Sequence, residues 1–97
     1  MYTIGPLRVD LDGHYVFVDD TEVHMSATEM RLLADLIAHR GRIRSMPQLL
    51  VDVWGYKPGT STRTLQTHVK RLRDKLGSAA TMIETVRGFG YQYRPND

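Results

Sequence analysis

The spacing of apolar residues changes period near Met25, and that change limits the fold more than any other feature. Before it, "LRVDLDG" alternates Leu7, Val9 and Leu11 with Arg8, Asp10 and Asp12. A period of two marks a strand with one face buried. Asp12-Gly13 predicts a hairpin. "HYVFVDD" supplies a second β-rich run, Asp19-Asp20 a further turn, and "TEVHM" a short third or fourth strand. After it, Met30, Leu33, Leu36 and Ile37 recur at helical spacing with Leu32 beside them. A chain of 97 residues with both periods must share one modest core between a sheet and helices. The expected class is α+β, in one domain over 1–97.

Helix boundaries are legible from caps. Ser26 and Glu29 form a capping box, in which the hydroxyl and the carboxylate each satisfy an orphan backbone N–H. Gly41 after His39-Arg40 reads as a stop, so the first helix is expected at about 27–40. "RIRSMPQLLVDVWG" repeats the pattern. Arg42-Ile43-Arg44 reads as a short extended link. Ser45 with Gln48 forms a second box, and Pro47 is tolerated in the first turn. Leu49, Leu50, Val53 and Trp54 form the stripe, and Gly55 ends the helix. The two helices read as a helix-turn-helix-like pair. "YKPGTST" is a loop, after which Thr60 or Ser61 can cap a third helix that Gly77 ends. "MIETVRGFGYQYR" reads as a β-hairpin split by Gly88 and Gly90, with Arg87 at its tip. The expected organisation is a sheet over 1–25, a three-helix core over 26–76 and a hairpin over 82–94.

The third helix, "RTLQTHVKRLRDKLG", separates cleanly into two faces. At 100° per residue, Leu65, Val69, Leu72 and Leu76 fall on one narrow stripe that must meet a core. Arg63, Thr67, Lys70 and Asp74 lie about half a turn away, with Gln66, Arg71 and Thr64 on the shoulders. Between 61 and 76 there are five Lys/Arg and one acid. Apart from the single Asp74, Arg63, Lys70, Arg71 and Arg73 therefore lack acidic neighbours within the helix. One reading is a solvated helix balanced by the acidic strands. The other is a helix made to lie against a polyanion, with Gln and Thr able to reach phosphates or base edges. The halves differ in charge: residues 1–30 hold one base against six acids, and residues 31–97 hold twelve bases against five. That asymmetry favours a nucleic-acid partner on the basic side. The helix suits the major groove, and a hairpin bearing Arg87 suits the minor groove beside it. Gly88 and Gly90 fit a tight turn that lets backbone approach a sugar-phosphate edge, or simply a hairpin turn.

Other chemistries find little support. There are no cysteines, which removes disulfides and thiol catalysis. His14, His24, His39 and His68 lack metal-ligand spacing, so no metal or cofactor is expected. The acids of residues 10–22 sit at turns and on the outer face of strands, with no general acid implied. "GFG" lacks the spacing of a nucleotide loop, and no enzyme is expected. No apolar run approaches about 18 residues, so no membrane span is expected. "MYTIGPLRVD" lacks the pattern of a signal peptide. The rival from another class is a protein-interaction module whose basic helix docks an acidic partner.

The run from Met25 to Arg94 resembles the winged-helix DNA-binding effector domain of OmpR/PhoB-type response regulators. "SATEMRLL", "GRIRSMPQLLVDVWG", "RTLQTHVKRLRDKLG" and "IETVRGFGYQYR" carry the resemblance. It implies a winged helix-turn-helix: a four-stranded antiparallel N-terminal sheet, three helices and a C-terminal hairpin wing. It implies sequence-specific binding of double-stranded DNA to regulate transcription. The helix at 61–76 would lie in the major groove and the wing at 82–94 at the minor groove. By position, Arg63, Thr64, His68, Lys70, Arg73 and Tyr91 match phosphate contacts. Gln66, Thr67 and Arg71 match base-edge positions, and Thr85, Arg87 and Gly88 match the wing. Tyr56, Lys57, Pro58 and Gly59 match a loop that contacts RNA polymerase. The resemblance further implies a homodimer on direct-repeat half-sites, a receiver domain in the parent protein and a bacterial cytoplasmic location. Gln66-Thr67 stands where relatives often carry Asp or Asn followed by Val, so a different base preference is expected. Neutralising about six phosphates would give a slope of log K against log salt near −5.

Overall fold

The computed structural model describes residues 1–55 and 60–95. An antiparallel meander opens the chain: β1 (Tyr2–Ile4), β2 (Leu7–Asp10), β3 (Tyr15–Val18) and β4 (Thr21–Glu22). Its register pairs Val9 with Tyr2 and Val16, and Leu7 with Ile4 and Val18, which gathers the apolar side chains on one face. On the other face Arg8 lies opposite Phe17, with its guanidinium 4.9 Å from the ring centroid, and it also pairs with Asp20 at 3.1 Å. Asp19 and Asp20 both take positive φ, 51° and 66°, and make the two-residue turn that strand twist favours.

The Asp12-Gly13 hairpin is wider than its dipeptide predicts. The connection runs over residues 11–14, and His14 rather than Gly13 takes the left-handed conformation. Asp10 is the cause: its carboxylate accepts the Gly13 N–H at 3.0 Å and closes the turn early. Leu11 consequently leaves the sheet and is 41 % exposed, against the inward position that alternation predicts. In "TEVHM" only Thr21 and Glu22 form the strand; the Val23 N–H still donates to the Val16 carbonyl at 2.8 Å, and the Val23 and Met25 side chains pack against the core.

Three helices follow: α1 (Ala27–Ala38), α2 (Met46–Trp54) and α3 (Thr62–Leu76). Both capping boxes form. The Glu29 N–H donates to Ser26 Oγ and the Ser26 N–H to Glu29 Oε1; Gln48 and Ser45 repeat the exchange. Helix α1 ends two residues before the predicted position, with His39 as its cap. Gly55 closes α2 in the left-handed conformation, and Ser61 caps α3 by accepting the Thr64 N–H. A 3-10 turn over Gly77–Met82 then leads to β6 (Ile83–Val86) and β7 (Gly90–Tyr93).

The segment between α1 and α2 is not a free link. Ile43–Ser45 forms β5, which pairs antiparallel with β7, so the C-terminal sheet has three strands in the order β5-β7-β6. A three-residue strand whose partner lies more than forty residues away has no local signature. Its presence changes the reading of Gly90. That residue is buried, and a Cβ added there would lie 2.0 Å from the Arg44 carbonyl oxygen. Gly90 is needed for close approach of β5, not of a sugar-phosphate edge. Gly88, with φ +82°, is the residue that turns the hairpin.

The core lies between the two sheets and the helices. The four-residue stripe of α3 is buried, as are Leu33, Leu36, Leu49 and Val53 from α1 and α2. Tyr93 joins the sheets: its ring meets Tyr2 edge-on at 6.2 Å, and its hydroxyl donates to Tyr2 Oη at 3.2 Å.

Three polar ties orient α3 and the wing. Glu29, 3 % exposed, accepts Lys75 Nζ at 2.6 Å and joins the start of α1 to the end of α3. Burial alone would raise the Glu29 pKa; the Lys75 ammonium and the Ser26 N–H outweigh it and hold the carboxyl below its ordinary value. Arg44, 7 % exposed, donates to Asp35 through Nε at 2.9 Å and Nη2 at 3.0 Å, and also to Asp52. It thereby ties β5 to α1 and α2, and these bonds raise its pKa. Arg73 donates through Nε and Nη2 to the Ile83 carbonyl at 3.1 and 2.8 Å, and through Nη2 to Thr85 Oγ1 at 2.8 Å.

Two outcomes follow from these ties. Lys75→Ala should lower stability at pH 7 by about 2 kcal/mol, because a buried carboxylate loses a charged hydrogen bond. A carboxyl with a depressed folded pKa stabilises above its unfolded pKa and loses that contribution as pH falls. The difference between Lys75→Ala and the parent, measured by urea unfolding, should therefore close below about pH 4. Arg73→Ala should loosen the wing and speed amide exchange across Ile83–Val86. Arg73→Lys should rescue it only in part, because an ammonium lacks the planar fork. Unchanged exchange in Arg73→Ala would remove this tie from the account.

Candidate nucleic-acid interface

Burying Leu65, Val69, Leu72 and Leu76 turns the opposite face of α3 to solvent. Arg63, Gln66, Thr67, Lys70, Arg71 and Asp74 are all exposed, at the i+3 and i+4 spacing of one helix face. Arg63, Lys70 and Arg71 make no ion pair among the described residues. The acidic strands do not neutralise them; Arg8 occupies Asp20, and Ser78 occupies Asp19. Of the five cations counted along this helix, Lys75 and Arg73 are engaged as ties within the fold, and three remain on the outer face.

Several side chains of that face are held in one orientation. The Thr67 hydroxyl donates to the Arg63 carbonyl at 3.0 Å, leaving its methyl group and oxygen lone pairs for a partner. His68 is half-buried, with Nδ1 2.8 Å from the Thr64 carbonyl oxygen. A carbonyl only accepts, so Nδ1 carries the hydrogen and Nε2 is the remaining ring nitrogen. The ring stands edge-on to Trp54 at 5.2 Å and 79°, which packs the end of α2 against α3. Thr64 lies in the first turn beside its cap, its Oγ1 3.4 Å from Ser61 Oγ.

At the wing, Val86 and Gly90 pair, and the Phe89 N–H donates to the Val86 carbonyl at 2.9 Å, which leaves Arg87 and Gly88 exposed on the turn. Arg87 makes no ion pair among the described residues. Thr85 receives Arg73, so its hydroxyl oxygen is engaged within the molecule. Tyr91 is a core residue at 5 % exposure, and the Arg73 guanidinium lies 5.8 Å from its ring centroid. Burial raises its pKa, with the Arg73 charge opposing. Arg73, Thr85 and Tyr91 thus come together as one support beneath the wing. The arrangement joins the exposed face of α3 to the hairpin in a single unit. Tyr56, Lys57, Pro58 and Gly59 lie outside the described residues.

Counting charges along the sequence does not show that Arg44, Arg73 and Lys75 are committed within the fold. For Arg73 and Lys75 there was a local hint, their place on the helical wheel at the flanks of the apolar stripe. Phe89, at the wing tip and exposed, was not singled out; an aromatic between two glycines at a hairpin tip was the available signal. Among the described residues no three His, Asp or Glu side chains gather as metal ligands, and no helix is long and apolar enough to cross a membrane.

The family model described as a transcriptional regulatory protein, C terminal, matches residues 20–93. The transcriptional regulatory protein CseB of Streptomyces coelicolor is 45% identical over 92 residues, covering 95% of this chain and 38% of that protein. The transcriptional regulatory protein SrrA of Staphylococcus aureus is 42% identical over 91 residues, covering 90% of this chain and 38% of that protein. The chain therefore spans well under half the length of these relatives. The DNA-binding domain of Klebsiella pneumoniae RstA, solved in complex with the RstA box, is similar with a TM-score of 0.85 at 30% identity, over 98% of this chain and 97% of that one. The Thermotoga maritima response regulator DrrB, an OmpR/PhoB homologue, gives 0.87 at 28% identity, over 96% of this chain and 43% of that one. A winged helix with these motifs, matched by that family over residues 20–93, belongs to the C-terminal domains of OmpR/PhoB-type transcriptional regulatory proteins.

Proposed function

We propose that this chain binds double-stranded DNA sequence-specifically and regulates transcription as the effector domain of a two-component response regulator. The carrying observation is the exposed face of α3. Its cations Arg63, Lys70 and Arg71 lack intramolecular ion pairs among the described residues, whereas Arg44 and Lys75 are ion-paired and Arg73 is hydrogen-bonded within the fold. Similarity to a domain solved on its DNA box supports the reading. Helix α3 lies in the major groove. Arg63, Lys70, Thr64 and His68 hold phosphates, and Gln66, Thr67 and Arg71 face base edges. Gln66 suits the N6/N7 edge of adenine, and Arg71 the O6/N7 edge of guanine. Arg87, presented by the Gly88 turn, enters the minor groove. Arg73, Thr85 and Tyr91 hold the wing rather than the duplex.

The action is non-covalent. Binding displaces condensed counterions, base-edge contacts select the site, and neither needs a cofactor or an enzymatic step. In the parent protein a receiver domain governs occupancy, two copies occupy direct repeats, residues 56–59 match the family's RNA polymerase contact, and the protein works in the bacterial cytoplasm. These parts of the reading rest on family resemblance.

Among the described residues of α3 and the wing, four full cations are left for the duplex, Arg63, Lys70, Arg71 and Arg87, so the slope of log K against log salt should be near −4 and not −5. Fluorescence anisotropy over a salt series measures it. Arg71→Ala should cost about 1–3 kcal/mol on the selected site and little beyond its phosphate share on random duplex. Arg63→Ala should weaken all sequences alike and flatten the slope by about one. Equal losses on specific and random DNA for Arg71→Ala would remove it from base reading. Failure of the parent chain to bind random duplex at low salt and micromolar protein would favour the acidic-protein partner instead.

A further inference from the structure

The Phe89 side chain has no part in the contacts above. Apart from Met1 it is the most exposed large apolar side chain among the described residues, at 67 %. Its backbone is held on both sides: its N–H donates to the Val86 carbonyl at 2.9 Å, and its carbonyl accepts the Met46 N–H at 3.0 Å. Gly90 follows it, packed under the Arg44 carbonyl with no room for a side chain. The phenyl ring is thus carried on a stiff turn, outside the core. It stands on the hairpin turn two residues after Arg87, which is exposed there as well. The strand leading into that turn is the one that Arg73 ties to α3 through the Ile83 carbonyl and Thr85.

We propose that Phe89 is an apolar DNA contact: its ring packs on the deoxyribose edges lining the minor groove that Arg87 enters. The inference rests on the DNA-binding reading above. Sugar edges present C–H groups that a phenyl ring covers without displacing phosphate counterions, and minor-groove proteins use apolar side chains next to Arg and Lys. With its backbone already held, the residue gives up only two side-chain torsions on binding.

The test uses the full chain and a duplex bearing one half-site obtained by in vitro selection. Phe89→Ala should bind about tenfold more weakly, consistent with burial of part of a phenyl ring. The salt slope should not change, because no cation is lost. Phe89→Leu should recover most of the affinity. Hydroxyl-radical footprinting should show renewed cleavage at the minor-groove sugars beneath the wing in Phe89→Ala. The thermal midpoint should be unaltered, since the ring is outside the core. Affinity and footprint equal to the parent would overturn the inference while leaving the DNA-binding reading intact. A loss seen only on a duplex with two half-sites would overturn it too, by assigning the ring to a second copy of the chain. A parent chain that binds no duplex would instead overturn the reading on which both rest.

Discussion

Burial of the Leu65, Val69, Leu72 and Leu76 stripe is the constraint on which the rest depends. Each such side chain contributes about 1.5–3 kcal/mol when removed from water. Their spacing leaves one rotation of α3 that buries all four. Once that rotation is set, Arg63, Gln66, Thr67, Lys70 and Arg71 face solvent together. The interface is thus a consequence of core packing: the apolar residues aim the polar ones.

Packing alone leaves the helix free to slide and the wing free to tilt. Directional bonds remove that freedom. Lys75 meets Glu29, Arg44 meets Asp35 and Asp52, and Arg73 meets the Ile83 carbonyl and Thr85. A buried ion pair is weak evidence for net stability, since desolvation offsets much of its attraction. Its geometric effect is clearer here, because each pair joins two different elements of the fold. The positive charge of the domain is accordingly divided, part of it consumed in fixing the frame and part left outside for a polyanion.

Much of the fold is visible in the sequence because its signals are local. The capping boxes at Ser26 and Ser45 act over three residues, and the α3 stripe repeats within four. The Asp19-Asp20 turn is likewise contained in its own dipeptide. The misreadings have non-local causes. Strand β5 exists because β7 lies beside it, and Gly90 is glycine because the Arg44 backbone passes against it. Even the hairpin at Asp12-Gly13, which forms, owes its wider turn to a side chain outside the dipeptide, where Asp10 accepts the Gly13 N–H.

The sequence by itself determined the α+β class, the three helices with their caps, the hairpin, and which face of α3 turns away from the core. Periodicity and capping act through the backbone within a few residues, so they can be read along the chain. Only the tertiary structure decided which cations remain available, why Gly90 has no side chain, and where Phe89 is displayed. Those depend on pairing between groups tens of residues apart, such as Lys75 with Glu29 and Arg44 with Tyr91 across the strand pair. A charge counted in one dimension carries no record of the partner that folding brings to it.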